Sequence, residues 1–142
     1  MKKAALTIAL MLAEAVLFFG LFFAVRQTLP EHPTSLRPEE VTGISLDDGE
    51  QWGTISREEE IAWVIRNLRE TTLGESTPCD RERMPEDGVI RMVITHGAGH
   101  ETLYICRDGR LIYFDGREPY SGVFHETGGP GINVSYLERF WR

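Results

Sequence analysis

The feature that most constrains this chain is an apolar run near its N-terminus. Residues 4–25 read AALTIALMLAEAVLFFGLFFAV, which is 22 residues with one charged side chain, that of Glu14. A helix rises about 1.5 Å per residue, so about 20 apolar residues cross a hydrocarbon core about 30 Å thick. The run therefore predicts a single transmembrane anchor at residues 1–25.

Glu14 is the main objection to this prediction, because an acid near the bilayer centre costs roughly 2.5 to 3.5 kcal/mol on the insertion scale. The run also holds five Leu, four Phe, two Val and one Ile, which together contribute roughly −4 to −7 kcal/mol on that scale. The apolar residues therefore outweigh the cost of Glu14, and insertion into the membrane is expected to be favourable. An ionisable residue inside a membrane is by default a functional hypothesis. Glu14 is thus a candidate contact for another membrane protein, and the plain alternative is an isolated protonated acid.

The charges around the run predict its orientation. Lys2 and Lys3 precede it and Arg26 follows it, and basic residues favour the cytoplasmic side. The N-terminus is therefore expected inside the cell membrane and the C-terminal domain outside. The alternative is a signal peptide cleaved after Ala13-Glu14-Ala15, which has the small-x-small pattern. Cleavage there would leave VLFFGLFFAV at the new end, so the uncleaved anchor is preferred.

The rest of the chain predicts a linker and one acidic domain. Residues 26–40, RQTLPEHPTSLRPEE, contain three prolines, which favour extended chain and predict a linker. The domain would then occupy residues 41–142. Residues 26–142 hold 13 basic and 21 acidic residues, a net charge of −8. This charge argues against nucleic acid and anionic lipid headgroups as partners.

One segment of the domain predicts an amphipathic helix. Its apolar residues recur at helical spacing and form one face: Ile61, Val64, Ile65 and Leu68. Ser56 and Glu59 form the S-x-x-E pattern of a capping box, which predicts that the helix begins at Ser56. Arg66 and Glu70 are spaced for an ion pair on the helix surface. Residues 71–74 predict its end.

Strand-like runs lie on both sides of this helix. Two flank Asp47-Asp48-Gly49, since Asp-Gly is a strong hairpin signal. Three more, at 89–95, 102–106 and 111–114, follow a polar loop at 73–88, and their short connections predict antiparallel neighbours. Residues 123–125 are expected to form a short edge strand.

The order of these segments, β-β-α-β-β-β, predicts an α+β domain with an antiparallel meander sheet and one packed helix. Ser135 and Glu138 form a second capping box and predict a short C-terminal helix.

Two segments of the domain resemble a group of known proteins. ISLDDGEQWGTISREEEIAWVIRNL and TLYICRDGRLIYF, within residues 41–115, are similar to small uncharacterised extracytoplasmic domains of membrane proteins and lipoproteins of Gram-positive bacteria. The resemblance implies a location at the cell envelope and an α+β scaffold, and it transfers no active site. The chain departs from the lipoprotein members because no cysteine closely follows its apolar run.

Histidines near a glycine-rich turn are candidate metal ligands. His96 and His100 bracket Gly97-Ala98-Gly99, so both rings are expected at one hairpin end, where His125 or Glu101 would complete a zinc or copper site. A zinc site needs three or four ligands. The spacing is that of a metalloprotease only on a helix with Glu after the first His. The alternative is a solvated turn, and no cofactor is otherwise expected.

Cys79 and Cys106 are candidates for a disulfide, which the extracytoplasmic side permits. A loop of this length would give roughly 3 to 4 kcal/mol by chain entropy. The alternative is two independent thiols. Neither cysteine has the neighbouring base that a nucleophile needs.

The remaining polar and aromatic residues give no catalytic constellation. The paired carboxylates fall in turns, where acids are common for local reasons. Several aromatic side chains are expected either in the core or at a binding surface: Trp52, Trp63, Tyr113, Tyr120 and Trp141. The sequence therefore favours a non-enzymatic binding or sensing module at the cell envelope, with an unidentified ligand. The alternatives are a metal-binding protein using His96 and His100, and a small envelope enzyme of unknown chemistry.

Overall fold

The structure, a computed structural model, describes residues 2–27, 31–116 and 120–142, with the side chains of the first helix described from Ala4 to Phe19. The last part of the predicted membrane span, residues 20–25, lies outside the described side chains. The chain divides into two compact units, Met1–Pro30 and Glu31–Arg142.

The first unit contains one long helix, α1 (Lys2–Gln27). Each described side chain of α1 is exposed, and apolar residues occur on all sides of the helix. Glu14 lies among them and is exposed as well. Among the residues that the structure describes, no helix has the length and hydropathy needed to cross a membrane.

The second unit is an α+β domain with one antiparallel sheet. In its described part the chain forms β1 (Val41–Asp47), β2 (Trp52–Ile55), α2 (Glu58–Glu70), β3 (Thr72–Cys79), β4 (Val89–His96), β5 (Gly99–Cys106), β6 (Leu111–Phe114), β7 (Gly122–Gly128) and α3 (Val134–Leu137). Short 3₁₀ helices occur at Pro38–Glu40, Arg81–Arg83 and Glu138–Phe140.

The seven strands lie in the order β2-β1-β4-β5-β6-β7-β3. The β1–β2 hairpin and the β4–β5–β6 meander agree with the sequence prediction, but the predicted sheet order is wrong. Residues 72–79, predicted as the end of the helix and the first part of the polar loop at 73–88, form the edge strand β3. The segment 123–125, predicted as an edge strand, belongs to β7, which lies inside the sheet between β6 and β3. Six of the eight residues of β3 are exposed, so the strand needs no buried apolar face. Its sequence, TLGESTPC, therefore lacks the alternation of apolar and polar residues that predicts a strand. An edge strand needs only the backbone hydrogen bonds of one neighbour.

Helix α2 covers one face of the sheet, as its apolar stripe predicted. Ile61, Val64, Ile65 and Leu68 are all buried. They pack on the inward-facing residues of the central strands, such as Met92 and Ile105, which are fully buried. A smaller apolar cluster on the other face contains Cys79, Cys106, Ile112 and Phe124, with Met84 against it. Both faces of the sheet are thus partly covered.

Both predicted capping boxes are wrong. Helix α2 begins at Glu58, and its N-cap residue Arg57 makes no side-chain capping bond. The three glutamates of the first turn instead place negative charge at the positive end of the helix dipole. At α3 the cap is Asn133, whose side chain accepts a hydrogen bond from the Tyr136 N–H at 3.0 Å.

The structure places residues 31–37, predicted as linker, against the domain. The Leu73 N–H donates to the Glu31 carbonyl at 2.9 Å, and His32 Nδ1 lies 2.8 Å from the Thr71 carbonyl. Thr34 is buried and its hydroxyl donates to Glu101 at 2.9 Å. The packed part of the chain therefore begins at residue 31.

Candidate binding surface

Shallow clefts border the exposed side of α2. One, of about 360 Å³, is lined by Pro38, Glu39, Val41, Glu58, Ile61 and Ala62. We call it the acidic cleft. A second, of about 320 Å³, is lined by Pro38, Arg66, Arg69 and Glu70, and we call it the arginine cleft. A third of the same size joins it through Arg66 and Glu70 and extends to Trp63, Asn67, Pro130 and Asn133. Together these residues form the α2 surface.

The arginines of the α2 surface differ from the other arginines of the domain. Most of the described arginines are neutralised by carboxylates or lie over aromatic rings: Arg37, Arg57, Arg83, Arg91, Arg107, Arg110, Arg139 and Arg142. Within residues 31–116 and 120–142, Arg66, Arg69 and Arg81 make no ion pair, side-chain hydrogen bond or ring contact. The predicted ion pair between Arg66 and Glu70 is therefore absent from the described contacts. Arg66 and Arg69 are helix neighbours with Cβ atoms about 5 to 6 Å apart, which concentrates positive charge on an acidic domain.

Trp63 provides a fixed aromatic wall beside these arginines. Its ring stacks on Tyr136 with centroids 3.9 Å apart and an angle of 27° between the planes. Tyr136 is held in turn by an edge contact with Phe140 at 5.5 Å and by Arg139 over its ring. Trp63 nevertheless stays 36% exposed. A supported, accessible ring loses little side-chain entropy when a ligand covers it.

Asn67 connects α2 to the loop before α3. Its amide Nδ2 donates to the Gly131 carbonyl at 2.9 Å, and its Oδ1 accepts from the Asn133 N–H at 3.1 Å. Both halves of this amide are therefore occupied inside the protein. The contacts join residues 64 and 66 positions apart, so no local sequence signal predicted them.

The acidic cleft combines an apolar floor with charged rims. Val41 and Ile61 are buried at its floor. Glu39 and Glu58 line it and are exposed. Glu39 lies 3.6 Å from Arg37, whereas Glu58 makes no ion pair with any described residue.

The structure does not bring the three candidate metal-binding histidines together. Thr95 pairs with His100, and His96 pairs with Gly99. Since adjacent strand residues point to opposite faces, His96 and His100 lie on opposite faces of the sheet. His96 Nδ1 accepts a hydrogen bond from the Ala98 N–H at 3.3 Å. In the described ranges, no group of three or more His, Cys, Asp or Glu side chains is placed to hold a metal ion.

His125 belongs to a separate buried polar cluster. It pairs with Leu111 on β6, and its ring contacts the edge of Tyr113 at 5.2 Å. Its Nδ1 and the Tyr113 hydroxyl are buried without a hydrogen-bond partner among the described atoms. Burial, followed by the negative charge of Glu101, raises the pKa of Tyr113. Tyr113 packs against the main apolar core, and neither Tyr113 nor His125 lines the three clefts of the α2 surface.

Both cysteines are buried free thiols in the smaller apolar cluster. The Cys79 sulfur lies 3.6 Å from the Met84 sulfur. Burial, followed by Asp108, raises the pKa of Cys106 to about 12. Burial also raises the pKa of Cys79. A nucleophilic thiolate is therefore disfavoured, and the disulfide stays a prediction.

The carboxylates of the β1–β2 turn have structural partners. Asp47 pairs with Arg91 at 2.7 Å. Asp48 pairs with Arg107, which also contacts Glu138 and so ties the turn to the C-terminal segment. Hydrogen bonds from backbone N–H groups in its turn, followed by Arg107, lower the pKa of Asp48. A general acid would need the opposite shift.

Comparisons with known proteins give no family for this chain. No protein-family model matches it, and no match was found among curated proteins or solved structures. The resemblance to extracytoplasmic domains of Gram-positive bacteria therefore stays a prediction.

Proposed function

We propose that this protein is a single-pass membrane protein whose outer domain binds another envelope component through the α2 surface. In this proposal the N-terminus lies inside the cell and residues 31–142 lie outside. The anchor is supported by the 22-residue apolar run at 4–25 and by Lys2 and Lys3 before it.

The observation that carries the binding role is a pair of arginines, Arg66 and Arg69, that form no ion pair with any described residue. Arg66 and Arg69 lie side by side in a cleft, next to the accessible ring of Trp63. Arginine and tryptophan are the residues most enriched where protein interfaces concentrate their binding energy. A partner carboxylate there would gain charge-assisted hydrogen bonds without first displacing an internal carboxylate.

The chemistry of the domain supports binding in preference to catalysis. The thiols have raised pKa values, and the acids of the β1–β2 turn are paired with arginines. A catalytic pair needs a nucleophile or acid within reach of a partner that tunes it.

Glu14 extends the proposal into the membrane. An acid on an otherwise apolar helix is stabilised when it meets a basic or polar group of a second transmembrane helix. We therefore propose that Glu14 contributes to recruitment of a membrane-protein partner. Glu14→Gln is expected to lower recovery of that partner, with Thr7→Ser as the control on the same helix.

Site-specific photocrosslinking in cells tests the binding role. A photoreactive phenylalanine analogue is placed at position 70, beside Arg66 and Arg69 in the arginine cleft, so that both arginines are kept. The matched control is position 75, which also replaces an exposed glutamate. We expect a discrete adduct from position 70 and none from position 75. Equal adducts from both positions, or none from position 70, would contradict the proposal.

Membrane topology is tested separately. Intact cells or spheroplasts are treated with a protease, and the C-terminus is followed with an epitope tag. We expect the tag to be removed from intact cells and the protein to resist alkaline extraction. A protected tag, or release by alkali, would refute the anchor without bearing on the α2 surface.

A further inference from the structure

We infer that the α2 surface binds an extended peptide segment of a partner protein, one that carries a basic and an acidic side chain three or four residues apart. This inference rests on the proposed function and adds the chemistry of the partner. It follows from the charges of two neighbouring clefts and from the distance between them.

The acidic cleft suits a lysine or arginine side chain. Its floor is apolar, with Val41 and Ile61 buried there, and its rim carries Glu39 and Glu58. Long basic side chains pack their aliphatic stems on apolar surface and keep the charged group near water. The carboxylate of Glu58, which has no ion pair within the described residues, would then face that group.

The arginine cleft suits a carboxylate side chain. Arg66 and Arg69 both line it and are exposed, and neither is paired with a carboxylate in the described part of the chain. Guanidinium groups bind carboxylates through two parallel hydrogen bonds, a geometry that a single amine cannot provide. Glu70 lies beside them and would disfavour a ligand group with several negative charges.

The distance between the clefts sets the spacing in the ligand. The α2 residues of the acidic cleft centre near position 60, and the arginines centre near position 67 or 68. At about 1.5 Å per helical residue the clefts are about 11 Å apart along the helix. An extended peptide advances about 3.3 Å per residue, so three or four residues span this distance. Pro38 lines both clefts, so one segment can pass over it.

The hydrogen-bonding groups favour a peptide over a glycan. The Asn67 side chain, an amide that could otherwise bond a sugar hydroxyl, already donates to the Gly131 carbonyl and accepts from the Asn133 N–H. The side-chain oxygen of Asn133 is likewise occupied by the Tyr136 N–H. The clefts, at about 320 to 360 Å³, are at the lower end for small-molecule pockets, and they match single side chains better.

Two synthetic peptides of identical composition test the inference against full-length protein in uncharged detergent micelles. The probe, GKAPAEG, separates its lysine and glutamate by four positions, and the isomer GAKEPAG places them side by side. Both are capped and fluorescently labelled, and binding is followed by anisotropy. We expect the probe to bind at least threefold more tightly than the isomer, because only the probe reaches both clefts.

Matched variants assign the two clefts. Arg66→Gln combined with Arg69→Gln is expected to weaken binding of the probe roughly threefold to tenfold, the range for two exposed ion pairs, whereas Arg81→Gln changes it less than twofold. Glu58→Gln is expected to weaken binding of the probe, whereas its control, Glu75→Gln, is expected to leave binding unchanged. All five substituted positions are exposed, and circular dichroism verifies that each variant is folded.

The outcomes separate the inference from the proposed function. Equal binding of both peptides, or equal effects of the cleft variants and their controls, would overturn the peptide inference. If position 70 still forms its crosslink in cells, the binding role stands and the partner has another chemistry. If the probe shows no preference over the isomer and no crosslink forms in cells, both the inference and the binding role are wrong. Self-association that depends on Arg66 and Arg69 would also overturn the inference, since a second copy would then be the occupant.

Discussion

Replacement of Asn67 with alanine tests whether one amide holds the α2 surface together. The change removes the hydrogen bond to the Gly131 carbonyl, which is partly buried, and the bond from the Asn133 N–H, which is exposed. A partly buried carbonyl left without a donor costs about 1 to 3 kcal/mol, and an exposed bond about 0.5 to 1 kcal/mol. Alanine recovers about 0.6 kcal/mol through its helix propensity. The expected net loss is therefore about 1 to 3.5 kcal/mol.

Urea unfolding of residues 31–142, which form a compact unit of their own, measures this loss by tryptophan fluorescence. With a denaturant slope of about 1 to 3 kcal/mol per molar, Asn67→Ala should lower the unfolding midpoint by about 1 M. Arg66→Ala, the adjacent position without a described partner, should shift the free energy of unfolding by less than about 0.5 kcal/mol. Equal shifts for the two variants would refute the role of the amide, because the exposed helix position alone would then explain the loss.

Three further results are expected. Gly53→Ala should destabilise the domain by about 1 to 3 kcal/mol and make its C-terminus more sensitive to protease, because an added Cβ would collide with the Phe140 carbonyl. In reduced, folded protein Cys106 should resist iodoacetamide at pH 8, since a pKa of about 12 leaves roughly one thiolate in ten thousand, and urea should release it. Asp48→Asn should lower stability at pH 7 and weaken the loss of stability below about pH 4, because the pKa of Asp48 is lowered by turn N–H groups and then by Arg107.

Each of these results has its own control or sign check. Gly97→Ala is the glycine control, since no atom lies within 4 Å of the added Cβ, and comparable losses would contradict the steric argument. Rapid alkylation of Cys106 in the folded state would contradict its burial. For Asp48 the folded pKa is depressed, so its stabilising contribution is complete above the unfolded pKa and is lost as pH falls through the folded value. Steeper acid unfolding of Asp48→Asn would therefore contradict the assignment.

The candidate surface was only partly predictable from the sequence. Trp63 was one of five aromatic residues expected either in the core or at a binding surface, and the structure leaves it accessible. Arg66 was predicted to pair with Glu70, and helix spacing alone cannot decide between a paired and a free side chain. Asn67, Pro130 and Asn133 were not predicted, because they meet only after the sheet brings distant parts of the chain together. The histidines show the converse: four positions separated them in sequence, but strand alternation placed them on opposite faces.

The sequence by itself determined the features that depend on local periodicity. Apolar spacing predicted the buried face of α2, and Asp-Gly pairs predicted the turns after β1 and β5. A 22-residue run with one charged side chain predicted the long helix α1. Only the tertiary structure decided the place of β3 and β7, since a mostly exposed strand such as β3 takes its hydrogen bonds from a neighbour more than 40 residues away. The tertiary structure alone also brought Asn67, Pro130 and Asn133 together at the α2 surface. The free energy that fixes a non-local contact comes from partners that no short stretch of sequence contains.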